Sequence, residues 1–132
     1  VEGILRIIEA LKKDVPVFCV IDEIFRGTNP VERVAASAAI LEYINKYNAI
    51  TFVATHDREL TDMLKDKYEF RYFTENVDKK NGMTFDYKMK KGISKTRNAI
   101  KVLEYVGYPK EITDYSKEYA KELDKISWST YL

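Results

Sequence analysis

The stretch VFCVIDEIFRGTNPVER, residues 17–33, carries an apolar run from Val17 to Ile21 straight into two adjacent acids, Asp22 and Glu23. An Arg-Gly-Thr-Asn turn and Pro30 follow. The run is short, continuous and rich in β-branched residues, which predicts a strand buried on both faces of a parallel sheet. Carboxylates repel each other and resist burial, so two at the end of such a strand need a partner, such as a metal ion or a reacting water.

Reading outward, Asn29 is a strong helix N-cap, Pro30 suits the first helical position and Glu32 completes a capping box. The helix is expected to reach about Tyr47 and to bury Val31, Val34, Ala35, Ala38, Leu41 and Ile44, with the small residues of 35–39 allowing close packing against a sheet. Before the strand, Ile4, Leu5, Ile7, Ile8 and Leu11 mark one face of a helix over residues 3–13. After it, AITFVATHD (49–57) reads as a second buried strand ending on a polar triplet, with a helix from about Asp57 to Lys67. Strand, helix, strand, helix implies parallel pairing with right-handed crossovers.

The pattern then changes. YEFRYFTENV and MTFDYKM alternate around the turn residues DKKNG and predict an antiparallel hairpin. SKTRNAIKVLEYVG predicts a helix capped by Gly107, and Pro109 opens a last helix to about Ile126. The stripe Ile112, Tyr115, Tyr119, Leu123 and Ile126 on that helix reads as packing within the chain, in preference to pairing with another one. The tail SWSTYL carries no signal.

At 132 residues the chain has the length of one domain. It holds 22 Lys and Arg against 21 acids, so the overall balance gives no electrostatic footprint for nucleic acid or anionic membrane. Local basic spots at Lys12-Lys13, Lys79-Lys80 and KMKKG (88–92) read as solvated loop ends. The single cysteine, Cys19, excludes a disulfide within the chain and fits a reducing cytoplasm. No apolar stretch has the roughly 18 residues that span a bilayer, so no membrane partner is expected.

Ligands gather at the carboxyl ends of parallel strands in doubly wound sheets. Here those ends carry Asp22-Glu23 and Thr55-His56-Asp57, and neighbouring strands would face both clusters into one crevice. An apolar strand ending in Asp-Glu has the form of a Walker B strand: the Asp suits a hydrated magnesium ion and the Glu a water aimed at a terminal phosphate. The flanking blocks are more specific. DEIFRGTN before a capped helix, FVATHDRELT after the next strand, and FDYKMKKGISKTRNAIKVLEYVGYP resemble, in order and spacing, the MutS family of DNA mismatch-repair ATPases, over about residues 4–112. Phe25 stands where these enzymes usually carry Gly, NPVER where they carry a Ser-Thr pair, and HDREL where HYHEL is commoner. These variants look more like the shorter MutS-like proteins.

The resemblance implies an α/β fold of the P-loop NTPase-like, ABC-class kind, as a partial domain: parallel strands with flanking helices, an antiparallel hairpin and C-terminal helices. It implies ATP and Mg2+ as cofactors, with Asp22 as the magnesium-associated acid, the ion held directly or through water. Glu23 would be the catalytic base, and His56, with Thr55 beside it, the switch histidine near the γ-phosphate. Arg26, Gly27, Thr28 and Asn29 would form the D-loop that contacts a second ATPase subunit, most simply in a homodimer, while DNA would be held by regions outside this chain. No GxxxxGK[ST] phosphate loop occurs in residues 1–132, and the expectation is that they form the C-terminal half of an ATPase domain. The alternative is a dimerisation module with a degenerate NTPase-like fold that does no chemistry.

Overall fold

The computed structural model describes residues 2–126. The SWSTYL tail (127–132) lies outside the described residues. The chain divides into two compact units, residues 1–69 and 70–132.

In the first unit, α1 (Glu2–Leu11) leads through a turn into β1 (Val17–Asp22), followed by α2 (Pro30–Asn45), β2 (Ala49–Ala54) and α3 (Glu59–Leu64). Strands β1 and β2 pair in parallel, with Val17 opposite Ala49 and Asp22 opposite Ala54. The expected strand–helix–strand unit is present, and its register brings the two strand ends level. Glu23 extends the pairing by one step, its N–H donating to the Ala54 carbonyl at 2.9 Å.

The sheet differs from expectation in one respect. Side chains alternate along β1 and β2 instead of being buried on both faces. Cys19 and Ile21 face the covered side with Thr51 and Val53 opposite them in register. Phe18, Val20, Ile50 and Phe52 stand on the other face, 59–69% exposed. The rings of Phe18 and Phe52 meet edge-to-face at 5.9 Å on that face. An apolar run encodes two dry faces, and the described elements of the first unit cover only one.

The core of the unit joins Ile4 and Leu11 of α1, Val34, Ala38, Leu41 and Ile44 of α2, and Leu60 and Leu64 of α3 with the covered sheet face. Ala35, expected in this core, is exposed, and Ser37 is buried in its place. Val34, Ala38, Leu41 and Ile44 keep the expected stripe, so the exchange of Ala35 for Ser37 shifts its edge without rotating it. Helix α3 is shorter than the expected 57–67. Residues 55–58 are held in a polar turn, and the Lys67 and Tyr68 N–H groups close back on the Leu64 carbonyl instead of continuing the helix. Tyr68 then donates from its hydroxyl to the Leu41 carbonyl at 2.7 Å, and burial raises the pKa of that phenol.

In the second unit the hairpin forms as two separate ladders. β4 (Glu75–Asp78) pairs antiparallel with β5 (Gly82–Phe85), and beyond them β3 (Arg71–Tyr72) pairs with β6 (Lys90–Lys91). The DKKNG turn works as its residues dictate: the Asp78 carboxylate accepts the N–H groups of Lys80 and Asn81, and Gly82 takes φ +69. Helix α4 (Ala99–Val106) begins five residues later than expected, since Ser94, Thr96 and Asn98 spend their polar groups on loop contacts. Gly107, at φ +94, ends it in the left-handed cap that its position predicts. Helix α5 (Lys110–Lys125) buries only Thr113. The Ile112–Ile126 stripe, expected to pack within the chain, is instead 41–62% exposed. Among the described residues no helix is long and apolar enough to cross a membrane.

The two sheet faces should respond differently to substitution. Ile44→Ala, at a fully buried site, is expected to cost about 2–5 kcal/mol, whereas Phe18→Thr should cost no more than ~1.5 kcal/mol, the scale of its ring contact; urea denaturation of the two variants checks the ordering. Acid should weaken the second unit. Asp78, Asp86, Glu104 and Asp114 all have lowered pKa values, Asp78 through backbone N–H groups and the others through lysine partners. A carboxylate with a depressed folded pKa contributes stability above its unfolded value, near 4, and loses that contribution as pH falls through the folded value. Amide shifts of Lys80 and Asn81, which report Asp78, should therefore move only as pH falls below about 4, the ordinary carboxylate value.

Candidate functional site

The site is assembled by the parallel register. With Asp22 opposite Ala54, the residues that follow each strand emerge side by side, and Asp22, Glu23, Thr55 and His56 meet at one sheet end. The His56 backbone N–H donates to Glu23 Oε1 at 3.1 Å, and His56 Nε2 lies 3.7 Å from the same oxygen. Glu23 is mostly shielded, its side chain 18% exposed, while the His56 imidazole is 99% exposed. Among the described residues no group donates to Glu23 Oε2, so that oxygen keeps its full accepting capacity.

Glu23 also carries a backbone signature. Its φ is +58, a left-handed conformation that costs a residue with a Cβ of order 1 kcal/mol. In this conformation the Glu23 carboxylate accepts the His56 N–H. Two further left-handed residues follow within the RGTN segment, Gly27 at φ +68 and Thr28 at φ +63, and the chain bends there. Asn29 then caps α2 as its position predicts, Oδ1 accepting from Val31 N and Glu32 N at 2.9 and 3.2 Å. Arg26 leans back toward Asp22, 3.9 Å away, with both side chains more than three-quarters exposed; such a pair contributes little to stability.

A second pair beneath this surface was not singled out by the sequence. Arg33, on the first turn of α2, grips Asp57 with both arms: Nε to Oδ2 at 3.0 Å and Nη2 to Oδ1 at 2.6 Å. Its remaining Nη1 lies 3.5 Å from the Gly27 carbonyl. The Asp57 hydrogen bond is the main cause that raises the Arg33 pKa. Asp57 is itself placed by Thr55, whose Oγ1 accepts the Asp57 N–H at 3.0 Å. The turn after β1, the start of α2 and the turn after β2 are thereby tied into one unit. A polar triplet and an arginine 24 residues apart were both visible in the sequence, but only the register of the sheet shows that they face each other.

The donor set can be tested against a magnesium ion. Among the described residues no group of three or more His, Cys, Asp or Glu side chains is placed to hold a metal. Two hard carboxylates, with Asp22 open to solvent, fit an ion that keeps several waters and is shared with substrate phosphates. They do not fit a cation caged by protein alone.

Parallel strands crossed by a capped helix, with acids and an imidazole at the carboxyl ends, define a mixed α/β protein with its polar site at the edge of the sheet. Comparison with known proteins narrows the class. Residues 3–124 match MutS domain V. DNA mismatch repair protein MutS from Aquifex pyrophilus is 36% identical over 107 residues, which cover 80% of this chain and 12% of that protein. MutS from Fusobacterium nucleatum is 36% identical over 110 residues, 81% of this chain and 12% of the relative. Endonuclease MutS2 from the same organism matches at 26% identity over 131 residues, 94% of this chain and 16% of the relative. The chain belongs to the MutS family and spans a small part of the length of these relatives.

The cap gives a direct test of the turn that carries the site. Asn29→Ala should destabilise the first unit by about 1 kcal/mol, and Asn29→Ser should recover most of that. Thermal or urea denaturation followed by circular dichroism measures both.

Proposed function

We propose that this chain is the C-terminal, Walker B-bearing part of a P-loop-type ATPase domain, and that in the whole protein its site hydrolyses ATP to drive conformational change in mismatch repair or related DNA processing. The observation that carries the reading is the Glu23–His56 contact at paired strand ends, formed by a strained backbone. Strain of this kind persists where the surrounding structure over-determines it, and such positions cluster at functional sites.

In this reading Glu23 holds and polarises the attacking water through Oε2, while Oε1 is kept in place by the His56 N–H. The shielding of Glu23 favours a base of defined orientation, and the exposed imidazole is free to reach a terminal phosphate. Asp22 would hold Mg2+, directly or through water, and the ion when bound would neutralise phosphate charge. Thr55 positions Asp57, and through Arg33 it steadies the turn at residues 26–29. Arg26, Gly27, Thr28 and Asn29 form the segment offered to a second ATPase subunit. DNA contacts belong to other parts of the protein.

The uncovered sheet face supports the partial-domain reading. A parallel sheet is normally covered on both sides, and Phe18, Val20, Ile50 and Phe52 provide a dry surface for a further layer that would bring the phosphate loop. The dimerisation-module alternative draws on the exposed stripe of α5, but it gives no reason for the strained turn at Glu23.

In the whole protein, Glu23→Gln is expected to retain ATP binding and to slow hydrolysis by about two orders of magnitude or more; unchanged turnover would remove Glu23 from the role of base. The 132-residue chain alone should not hydrolyse ATP appreciably, since it lacks a phosphate loop. Turnover by that chain that was lost with Glu23→Gln would overturn this expectation.

A further inference from the structure

The second unit contains a cleft of about 550 Å³ with no role in the reading above. It lies where β3 and β6 pair and the chain turns toward α4. Thr74, Asn76, Lys91, Gly92, Lys95 and Thr96 are among the residues that line it. We propose that this cleft binds a phosphate group, presented either by a nucleic-acid backbone or by a free nucleotide or phosphate ion.

Charge is the first reason. The segment 90–97 holds four cations beyond a single helix or strand, and two of them are neutralised: Lys90 by Asp86 at 2.8 Å and Arg97 by Asp124 at 2.7 Å. Lys91 and Lys95 are the two that line the cleft, and among the described residues neither has a carboxylate partner. Among the described residues no Asp or Glu lines the cleft. The nearest acid along the chain, Glu75, is turned to Asn98, accepting from Nδ2 at 3.0 Å. Two uncompensated ammonium groups on one concave surface favour an anion.

Hydrogen-bonding chemistry is the second reason. Thr74 Oγ1 and Thr96 Oγ1 are 3.2 Å apart, and Thr96 Oγ1 is 2.8 Å from Ser94 Oγ. Thr74 Oγ1 also donates to the Glu75 carbonyl at 3.4 Å, so these hydroxyls fix one another along the wall, and the Asn76 amide is the donor offered to an oxyanion. Gly92 is the third reason. At φ +106 it reverses the backbone at the cleft, and a Cβ there would meet nothing within 4 Å, so the wall is open enough for a ligand to approach. The lysines are solvent-exposed, so binding should be weak for a lone ion and strengthened by linked phosphates, with steep salt dependence. The KMKKG segment, expected to be only a solvated loop end, acquires a ligand in this reading.

The test is amide NMR of the 132-residue chain titrated separately with inorganic phosphate, AMP and a short mixed-sequence DNA duplex. Saturable shifts concentrated at residues 74–76 and 91–96 are expected. Shifts there with the duplex at lower concentration than with phosphate or AMP identify a backbone source; shifts there with phosphate and AMP alone identify a free one. Lys91→Gln with Lys95→Gln should weaken binding at least tenfold, and for the duplex should lower the slope of log affinity against log salt by about 2. The matched pair Lys12→Gln with Lys13→Gln should leave both unchanged. Absence of shifts at 91–96 with all three ligands overturns the proposal, as does binding that survives intact in the Lys91/Lys95 pair. Should that pair fail to fold, the single variants Lys91→Gln and Lys95→Gln, each expected to weaken binding and to lower the duplex salt slope by about 1, give the same reading. The residues followed lie in a different unit from Glu23 and His56, so failure here leaves the ATPase reading standing.

Discussion

The register of β1 against β2 is the constraint on which the first unit depends. A one-residue slip would turn every side chain of a strand to the opposite face, sending Cys19 and Ile21 outward and drawing Phe18 and Val20 into the covered side. It would also move Asp22 and Glu23 out of line with the turn at 55–57. Core and site are therefore specified by the same alternation. The crossover through α2 sustains it, since Asn29 starts the helix directly after the turn and the Arg33–Asp57 pair fastens that helix start to the end of β2.

That fastening explains why the strain at Glu23 is tolerated. Three residues of the segment 23–28 sit at positive φ, two of them without the freedom of glycine. Glu23 and Thr28 each cost free energy there, and the turn is anchored at both ends: Glu23 N–H to the Ala54 carbonyl at one end, the Asn29 cap at the other. The carboxylate is thus oriented by backbone before any ligand arrives. In the proposed role of Glu23 as base, an orientation set in advance would need no rearrangement during reaction, which is the general advantage of a preorganised polar site.

Much of this was legible in advance because the signals were local. The β-branched run at 17–21, the Asn29-Pro30 start, the DKKNG turn and Gly107 each carry a conformational preference within a few residues, and each element formed where expected. Juxtaposition of Asp22-Glu23 with Thr55-His56 followed from parallel topology alone. What escaped was decided by long-range pairing. Arg33 and Asp57 meet across 24 positions, and Asp57 is held in the polar turn before α3 and not in the helix. Helix α4 started late because Asn98 binds Glu75, 23 residues away. Periodicity could not anticipate either contact.

The exposed apolar surfaces follow from the same distinction between pattern and partner. An apolar run states how many faces a strand can bury, and a helical stripe states which side is dry; neither states what will cover it. Phe18 and Phe52 on the sheet and Tyr115, Tyr119 and Leu123 on α5 all obey their patterns while remaining largely exposed. Contiguous exposed apolar surface of this kind marks sites of association. The two surfaces differ in geometry: an open sheet face offers a flat bed to a packed layer, whereas a single stripe suits another helix. Lys91 and Lys95 make the complementary point for charge. A near-neutral chain gives no sign of an anion site, because pairing elsewhere cancels the sum, and the residue of positive charge becomes visible only when each cation is followed to its partner.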